Sequence, residues 1–411
     1  MPEFLELMPP GDALSLLLSH LPDRPSKTEQ VRTSDALGRV TGRPVVSPEQ
    51  LPAFNRSTVD GYAVRASDTY GASDSLPMYL SLVAEVPVGR APDFKLQPAQ
   101  AALIFTGGML PDGADAVVML ETAQAARPGE LEILKAVASG ENILKAGEDV
   151  KQGEEILPAG TMLRPAEIGG LMALGILEIE VIPRPVVGII SSGDEVIPPE
   201  QRPQPGQVRD INSYTLGALV HQHGAIPRLF GIMADQAQAL RSSLRQALDA
   251  CDMAVITAGS SASSRDLTAA VIQEMGAPGV LAHGVNVKPG KPTILAICDG
   301  RPVIGLPGNP VSALVVAGIF VVPLIERQLG LPALRLRPQV PARLAINLAS
   351  QAGREDWVPV RLVTTPSGYS AEPVFFKSNL IFSLSRADGL IHIPPAANGL
   401  AAGETVLVEL I

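Results

Sequence analysis

The sequence predicts a multidomain α/β protein. A central α/β ligand domain carries a parallel-rich sheet, a small all-β domain precedes it, and a small β-barrel or sandwich follows it. Three observations predict this. Between Arg184 and Glu326, three apolar β-rich runs each end in a small-residue loop. Pro185–Ile190 runs into Ser191-Ser-Gly-Asp-Glu195, Met253–Thr257 into Ala258-Gly-Ser-Ser-Ala-Ser-Ser264, and Pro302–Leu306 into Pro307-Gly-Asn-Pro310. Helical patterns lie between or after these runs, as in strand–helix–strand units with parallel strands. From Met78 to Leu134, short β-like runs alternate with Gly/Pro turns, and short strands return beyond Leu331-Pro332. In parallel sheets ligands sit in the crevice outside the carboxyl ends of the strands.

Taken in order, Asp12–Leu21 is an amphipathic helix with Asp12 as its cap. Thr28–Val40 reads as a strand and a short turn. Val45-Val46 and the prolines after it read as extended chain. Phe54–Val64 carries Asn55, Arg56, Ser57, Thr58 and Asp60 before a β-like Tyr62-Ala-Val64, with Asp60-Gly61 as a turn signal. Tyr79–Val86, Ala101–Phe105, Ala116–Leu120 and Leu131–Leu134 are the strands of the all-β domain. Thr106-Gly-Gly108 ends one of them. Arg164-Pro165 starts a helix that stops at Gly175, and Leu177–Ile182 is a strand. In the ligand domain, Ile211–His223, Ala237–Ala250 and Asp266–Met275 are helices and Arg228–Met233 is a strand. Val287-Lys-Pro-Gly-Lys-Pro292 separates two further β-like pieces, and the strand–helix alternation continues to a long apolar helix from Val311. The last strands are Val340–Leu348, Trp357–Val363, Tyr369–Val374, Leu390–Ile393 and Thr405–Leu410.

Composition narrows the function. A chain of 411 residues exceeds one ordinary core, and two to four domains are expected. Its hydrophobic fraction of 46% supports large cores. The net charge of −10, with no basic run, argues against nucleic acid. Cys251 and Cys298 lie far apart in apolar contexts, which suits buried thiols in a reducing compartment. No secretory leader is evident, and Val311–Ile325 is short for a membrane span, so a cytoplasmic protein is expected.

The loops suit an anion. Small residues at Gly259, Ser260 and Ser261 let backbone N–H groups approach a phosphate, with the helix containing Asp266 behind them. Pro307, Gly308, Asn309 and Pro310 make a second such turn at a helix start. Lys288 and Lys291 flank a Pro-Gly turn and can face one anion. Glu195, Asp210 and Asp235 lie at or past strand ends. Phosphate donors beside carboxylates suit a magnesium-bridged phosphate ligand. Gly259-Ser-Ser is neither a P-loop nor a dinucleotide fingerprint. None of the five histidines makes a metal-binding spacing, and no Gly-x-Ser-x-Gly elbow appears.

Seven motifs come in the order of one family. They are Ser57-Thr-Val-Asp-Gly-Tyr-Ala63, Thr106-Gly, Gly113-Ala-Asp-Ala-Val-Val-Met119, Gly147-Glu-Asp149, Ser192-Gly-Asp-Glu195, Lys288-Pro-Gly-Lys-Pro-292 and Gly305-Leu-Pro-Gly-Asn-Pro-Val-Ser312. The chain resembles, over nearly its whole length, the molybdopterin molybdenumtransferases, the MoeA family that includes the E domain of gephyrin. The resemblance implies an elongated homodimer with a discontinuous linker domain (22–50 and 150–183) and an inserted β domain (51–149). It implies an α/β molybdopterin-binding domain (1–21 and 184–331) and a C-terminal β-barrel (332–411). The implied activity is Mg²⁺-dependent insertion of molybdate into adenylylated molybdopterin with release of AMP.

Under that resemblance, Asp60, Thr106 and Asp149 of one subunit complete the site, and Glu195, Asp235 and Asp266 of the other serve the metal ion or the water. Gly259, Ser260, Ser261, Lys288, Lys291, Pro307, Gly308, Asn309, Pro310 and Ser378 would bind the pterin conjugate. A molybdopterin adenylyltransferase and molybdoenzyme apoproteins are implied as further partners. Leu144, Gly284 and Pro359 stand where the family pattern expects basic residues, with Lys145, Arg265, Arg361 and Lys377 as candidate substitutes. The altered Gly-Gly-x-Ser-x-Gly loop and these replacements keep other readings open. They are a binding or regulatory paralogue without insertion, tungstate-specific insertion, and a phosphohydrolase of another nucleotide conjugate.

Overall fold

A computed structural model describes residues 7–22, 27–258, 262–374 and 377–411. The central unit is built from β1 (Val186–Ser192), α1 (Asn212–Gln222), β2 (Ile226–Met233), α2 (Ala237–Ala250), β3 (Met253–Ala258) and α3 (Ala262–Gln273). It continues with β4 (Pro278–His283), β5 (Ile294–Cys298), β6 (Arg301–Pro307) and α4 (Pro310–Gln328). The strands form one sheet in the order β2-β1-β3-β6-β5-β4. β1 runs parallel to β2 and β3, and β3 runs parallel to β6. The carboxyl ends of β1, β3 and β6 therefore lie at the same edge of the sheet, as the sequence predicts.

The alternation of strand and helix breaks at β5, which runs antiparallel to both β4 and β6. Its link to β6 is the two-residue turn Asp299-Gly300, with φ of +49 and +80. Positive φ at both central residues is the hairpin geometry for which Asp-Gly is suited. Helix α3 starts four residues earlier than expected, at Ala262.

Helix α4 is apolar on every face because it is buried on nearly every face, with Phe320, Val321 and Leu324 in the main core. At 19 residues it is longer than the sequence reading allowed. By length and composition it is the one helix among the described residues that passes for a membrane span, yet here it is a core helix. The N-terminal helix Pro10–Ser19 packs Ala13 and Leu17 into the same core. Asp12 lies in its first turn, where it favours the helix dipole. Pro9 occupies the cap position, so Asp12 does not cap.

Two stretches far apart in sequence pair next to this unit. Glu29–Arg32 runs antiparallel to Glu178–Val181, and Val45–Val46 pairs with Glu155–Leu157. Ala36, Leu163, Leu171 and Val181 form their core. Between these stretches the chain makes a six-stranded sheet. Its order is Ala116–Met119, Gly61–Val64, Gln100–Ile104, Met78–Glu85, Glu130–Ile133 and Ala123–Arg127. One apolar cluster of this sheet holds Val64, Leu80 and Ile133, and another holds Ala63, Ile104 and Val117. Alternating strand residues supply both.

The C-terminal strands close on themselves. Glu355–Thr365 pairs with Gly368–Pro373, that strand with Gln339–Leu344, the next with Thr405–Leu410, then Gly389–Ile393, which returns to Glu355–Thr365. This ring is a five-stranded barrel around Leu344, Val360, Ile391 and Val408. Val287–Lys288 adds a short parallel strand to it at Glu355–Asp356, tying the barrel to the central unit.

Candidate active site

Between the central unit and the barrel lies a cavity of about 770 Å³, within the range of small-molecule sites. From the central unit it is lined by Lys288, Gly290, Lys291, Pro307, Gly308 and Asn309. The barrel side adds Arg354, Asp356, Trp357 and Ser378. Six residues predicted from sequence thus share one space: Lys288, Lys291, Pro307, Gly308, Asn309 and Ser378.

Local packing places them. The Lys288–Pro292 turn is pressed onto helix α4. Gly290 has φ +119, and a Cβ there would lie 2.1 Å from Val316 Cγ2, so only glycine fits. Pro310 occupies the first turn of α4, where its missing N–H costs nothing. It is buried behind the cavity and does not line it. Asn309 Nδ2–H donates to Ser378 Oγ at 3.0 Å, and Val311 N–H donates to the Ser378 carbonyl at 3.1 Å. Asn212 Nδ2–H donates to the Gly308 carbonyl at 2.8 Å. The Pro307–Pro310 turn is therefore held from both sides.

On the barrel side, Arg354, Asp356 and Trp357 are the ones that sequence reasoning missed. Asp356 is buried and takes two hydrogen bonds from Arg354, Nε–H to Oδ1 at 2.7 Å and Nη2–H to Oδ2 at 3.1 Å. Lys288 Nζ lies 3.9 Å from Asp356 Oδ2. Trp357 stacks on His392 with ring centroids 4.7 Å apart. Trp357 also lines a second cavity of about 590 Å³ together with His223, Glu326, Arg335, Arg337 and Glu409. Burial first, then the Arg335 and Arg337 charges, lowers the His223 pKa to about 4.

At the strand ends, Asp210 is a buried structural group. Its Oδ1 accepts from Ser191 Oγ at 2.9 Å and from the Ser213 N–H at 3.1 Å, which ties β1 to the start of α1. Glu195 and Asp266 are exposed, and the Asp235 N–H donates to Asp194 Oδ1 at 3.1 Å. Glu195, Asp235 and Asp266 do not gather. Among the described residues no three His, Cys, Asp or Glu side chains lie close enough together to hold a metal ion. Glu195 and Asp235 follow different strands, and Asp266 sits a turn inside α3. Gly259, Ser260 and Ser261 lie outside the described residues, as does the side chain of Arg265. Arg361 is paired with Glu372 on the barrel, and neither it nor Lys377 lines the cavity.

Asp60 and Thr106 lie at the edge of the six-stranded β unit, and Asp149 follows Ile143–Leu144, which pairs with Arg56–Ser57; all three are exposed and form a rim. Asp60 Oδ1 accepts from the Thr106 N–H and from Thr106 Oγ1, which lowers its pKa below the usual carboxylate value. Gly107, at φ +83, makes the tight turn. Its N–H donates to the Ser57 carbonyl at 2.8 Å. The Asp149 segment is stitched to the same rim, with Ala146 N–H donating to Asn55 Oδ1 at 2.8 Å and Asp149 N–H to the Leu51 carbonyl at 3.0 Å. None of these residues lines the cavity of their own chain.

Comparison with known proteins agrees over the full length. Residues 8–175 match the MoeA N-terminal region (domain I and II), 188–327 a probable molybdopterin binding domain, and 341–411 the MoeA C-terminal region (domain IV). A molybdopterin molybdenumtransferase of Nostoc sp. is 35% identical over 97% of this chain and 92% of its own length. The molybdopterin molybdenumtransferase of Bacillus subtilis is 31% identical over 94% of this chain and 90% of its own. The crystal structure of a molybdopterin biosynthesis MoeA protein from Pyrococcus horikoshii OT3 superposes with a TM-score of 0.86. That match has 31% identity and covers 99% of this chain and 100% of that one. The match of all three regions, in order and on this fold, places the chain in the MoeA family.

Proposed function

We propose that the protein inserts molybdate into adenylylated molybdopterin and releases AMP. The observation that carries this reading is the cavity itself. Two lysines, an arginine and the Gly308 turn face one space large enough for a pterin phosphate and an oxyanion. Lys288, Lys291 and Arg354 would bind and orient the anionic groups. Trp357 and the apolar wall around Leu348 and Val358 would cover the pterin and exclude water. The ligand's dithiolene sulfurs take the molybdenum, so the protein supplies no nucleophile. The phosphoanhydride bond to AMP is the one cleaved.

Carboxylates spread along the strand ends fit an ion that arrives with phosphate oxygens better than one held by protein alone. Glu195, Asp235 and Asp266 would contribute to such a Mg²⁺ site, and the ion would neutralise charge on the cleaved phosphates. The Asp60–Asp149 rim stands apart from the cavity of its own chain, which supports completion of the site by a second copy in a homodimer.

The test mixes purified protein with adenylylated molybdopterin, molybdate and Mg²⁺ and follows AMP and active cofactor together. Both products are expected. Binding without AMP would instead support a cofactor-holding paralogue, the reading favoured by the lost basic groups at Leu144, Gly284 and Pro359. AMP without cofactor would support a hydrolase, and tungstate in place of molybdate settles the metal.

A further inference from the structure

Asp356 is an acidic group in a cavity built for anions, which is chemically unexpected. It is 3% exposed and projects from a barrel strand whose backbone pairs in register with Lys288. Its carboxylate engages Arg354 side-on, through Nε and Nη2, and leaves Nη1 for another acceptor. Its Oδ2 also lies 3.9 Å from Lys288 Nζ. One buried carboxylate therefore touches two of the three cations that line the cavity.

A lone guanidinium and a long lysine side chain lose rotamer freedom when they bind an anion. A buried partner removes part of that cost by holding them in place beforehand. It also sets the cavity's charge. Lys288, Lys291 and Arg354 supply three positive charges and Asp356 one negative, leaving two positive, the match for a dianion.

We propose that Asp356 is a positioning residue, which holds Arg354 and Lys288 as a two-armed clamp for a tetrahedral dianion in this cavity. It acts through the two cations and does not touch the anion. This rests on the reading of the cavity as an oxyanion site.

The chain has a single tryptophan, Trp357, which lines the same cavity, so its emission reports occupancy without turnover. Full-length protein is titrated with molybdate at fixed ionic strength, by fluorescence and by calorimetry. Asp356→Asn is expected to weaken molybdate about tenfold or more, and Asp356→Glu to recover most of the loss. Arg354→Gln is expected to weaken it similarly, with the Asp356→Asn/Arg354→Gln double variant losing less than the sum of the two single losses. In turnover, the Asp356→Asn change appears in the KM for molybdate and not in kcat.

Wild-type affinity in Asp356→Asn, even with a lowered Tm, overturns the clamp and leaves Asp356 a structural group. If Asp356→Asn does not fold, wild-type affinity in Arg354→Gln overturns it equally. Should wild-type protein show no saturable response to molybdate, tungstate or sulfate by either method, the oxyanion reading of the cavity falls, and the clamp with it.

Discussion

Asp60 Oδ1 accepts both the N–H and the hydroxyl of Thr106, each at 2.7 Å, across 46 residues of sequence. The pair closes a turn, yet both residues are exposed. Asp60→Ala is expected to lower turnover at least about tenfold while its Tm stays near that of the wild type, as for surface positions. Activity is checked by AMP release and stability by thermal melting. A Tm that collapses in this variant would make Asp60 a loop cap and nothing more.

If rim and cavity come from different subunits, as proposed, the two can complement each other. Asp60→Ala and Lys288→Ala, each inactive alone, are expected to regain about a quarter of wild-type activity when co-refolded. In a statistical mixture, half the dimers are mixed, and each of these has one intact site of two. No recovery in verified mixed dimers would return both halves of the site to one chain.

Gly290 cannot accept a side chain. Gly290→Ala is expected to cost about 1–3 kcal/mol through the contact with Val316 and the positive φ. Shifting the Lys288–Lys291 turn should also weaken anion binding. Adding Val316→Ala is expected to restore only part of the stability, since the backbone strain remains. Denaturant unfolding of the two variants measures both effects.

His223 stays neutral in the fold because it is buried beside Arg335 and Arg337, with Glu326 and Glu409 in the same cavity. Its folded pKa of about 4 lies below the ordinary imidazole value of 6.5. The unfolded chain therefore binds the proton first, and stability falls as pH drops from about 6.5 to about 4. Discounted for partial exposure, the loss is on the order of 1–2 kcal/mol. His223→Gln is expected to flatten that part of the pH–stability curve, measured by urea unfolding between pH 7 and 4.5.

Cys251 and Cys298 are buried free thiols, and desolvation raises both pKa values, that of Cys298 to about 11. Neither is expected to react with a thiol reagent at pH 8 in the native state, and both are expected to react in denaturant. Rapid native labelling at Cys298 would contradict its placement under α3.

The parallel strands β1, β3 and β6 were readable, because an apolar run followed by small residues reports both the strand and its end. Lys288 and Lys291 were readable because a Pro-Gly turn between them leaves them on one side. The reversal at β5 was missed: a buried apolar run carries no sign of direction, though Asp299-Gly300 did announce a hairpin. Arg354, Asp356 and Trp357 had no local signal of function. They reach the cavity only because Glu355–Asp356 pairs with Val287–Lys288, a register set by two units folding against each other. Glu195, Asp235 and Asp266 are not gathered into one cluster for a related reason. Lying after strand ends places residues on one edge of a sheet, not within coordinating distance.

That same two-residue pairing has a mechanical result. The barrel grips the backbone of the lysine turn directly, so a tilt of one body drags Lys288 and the Arg354–Asp356 pair together. The width of the cleft and the aim of its charges are a single variable. A contact made far out on the barrel would be felt at the lysine turn.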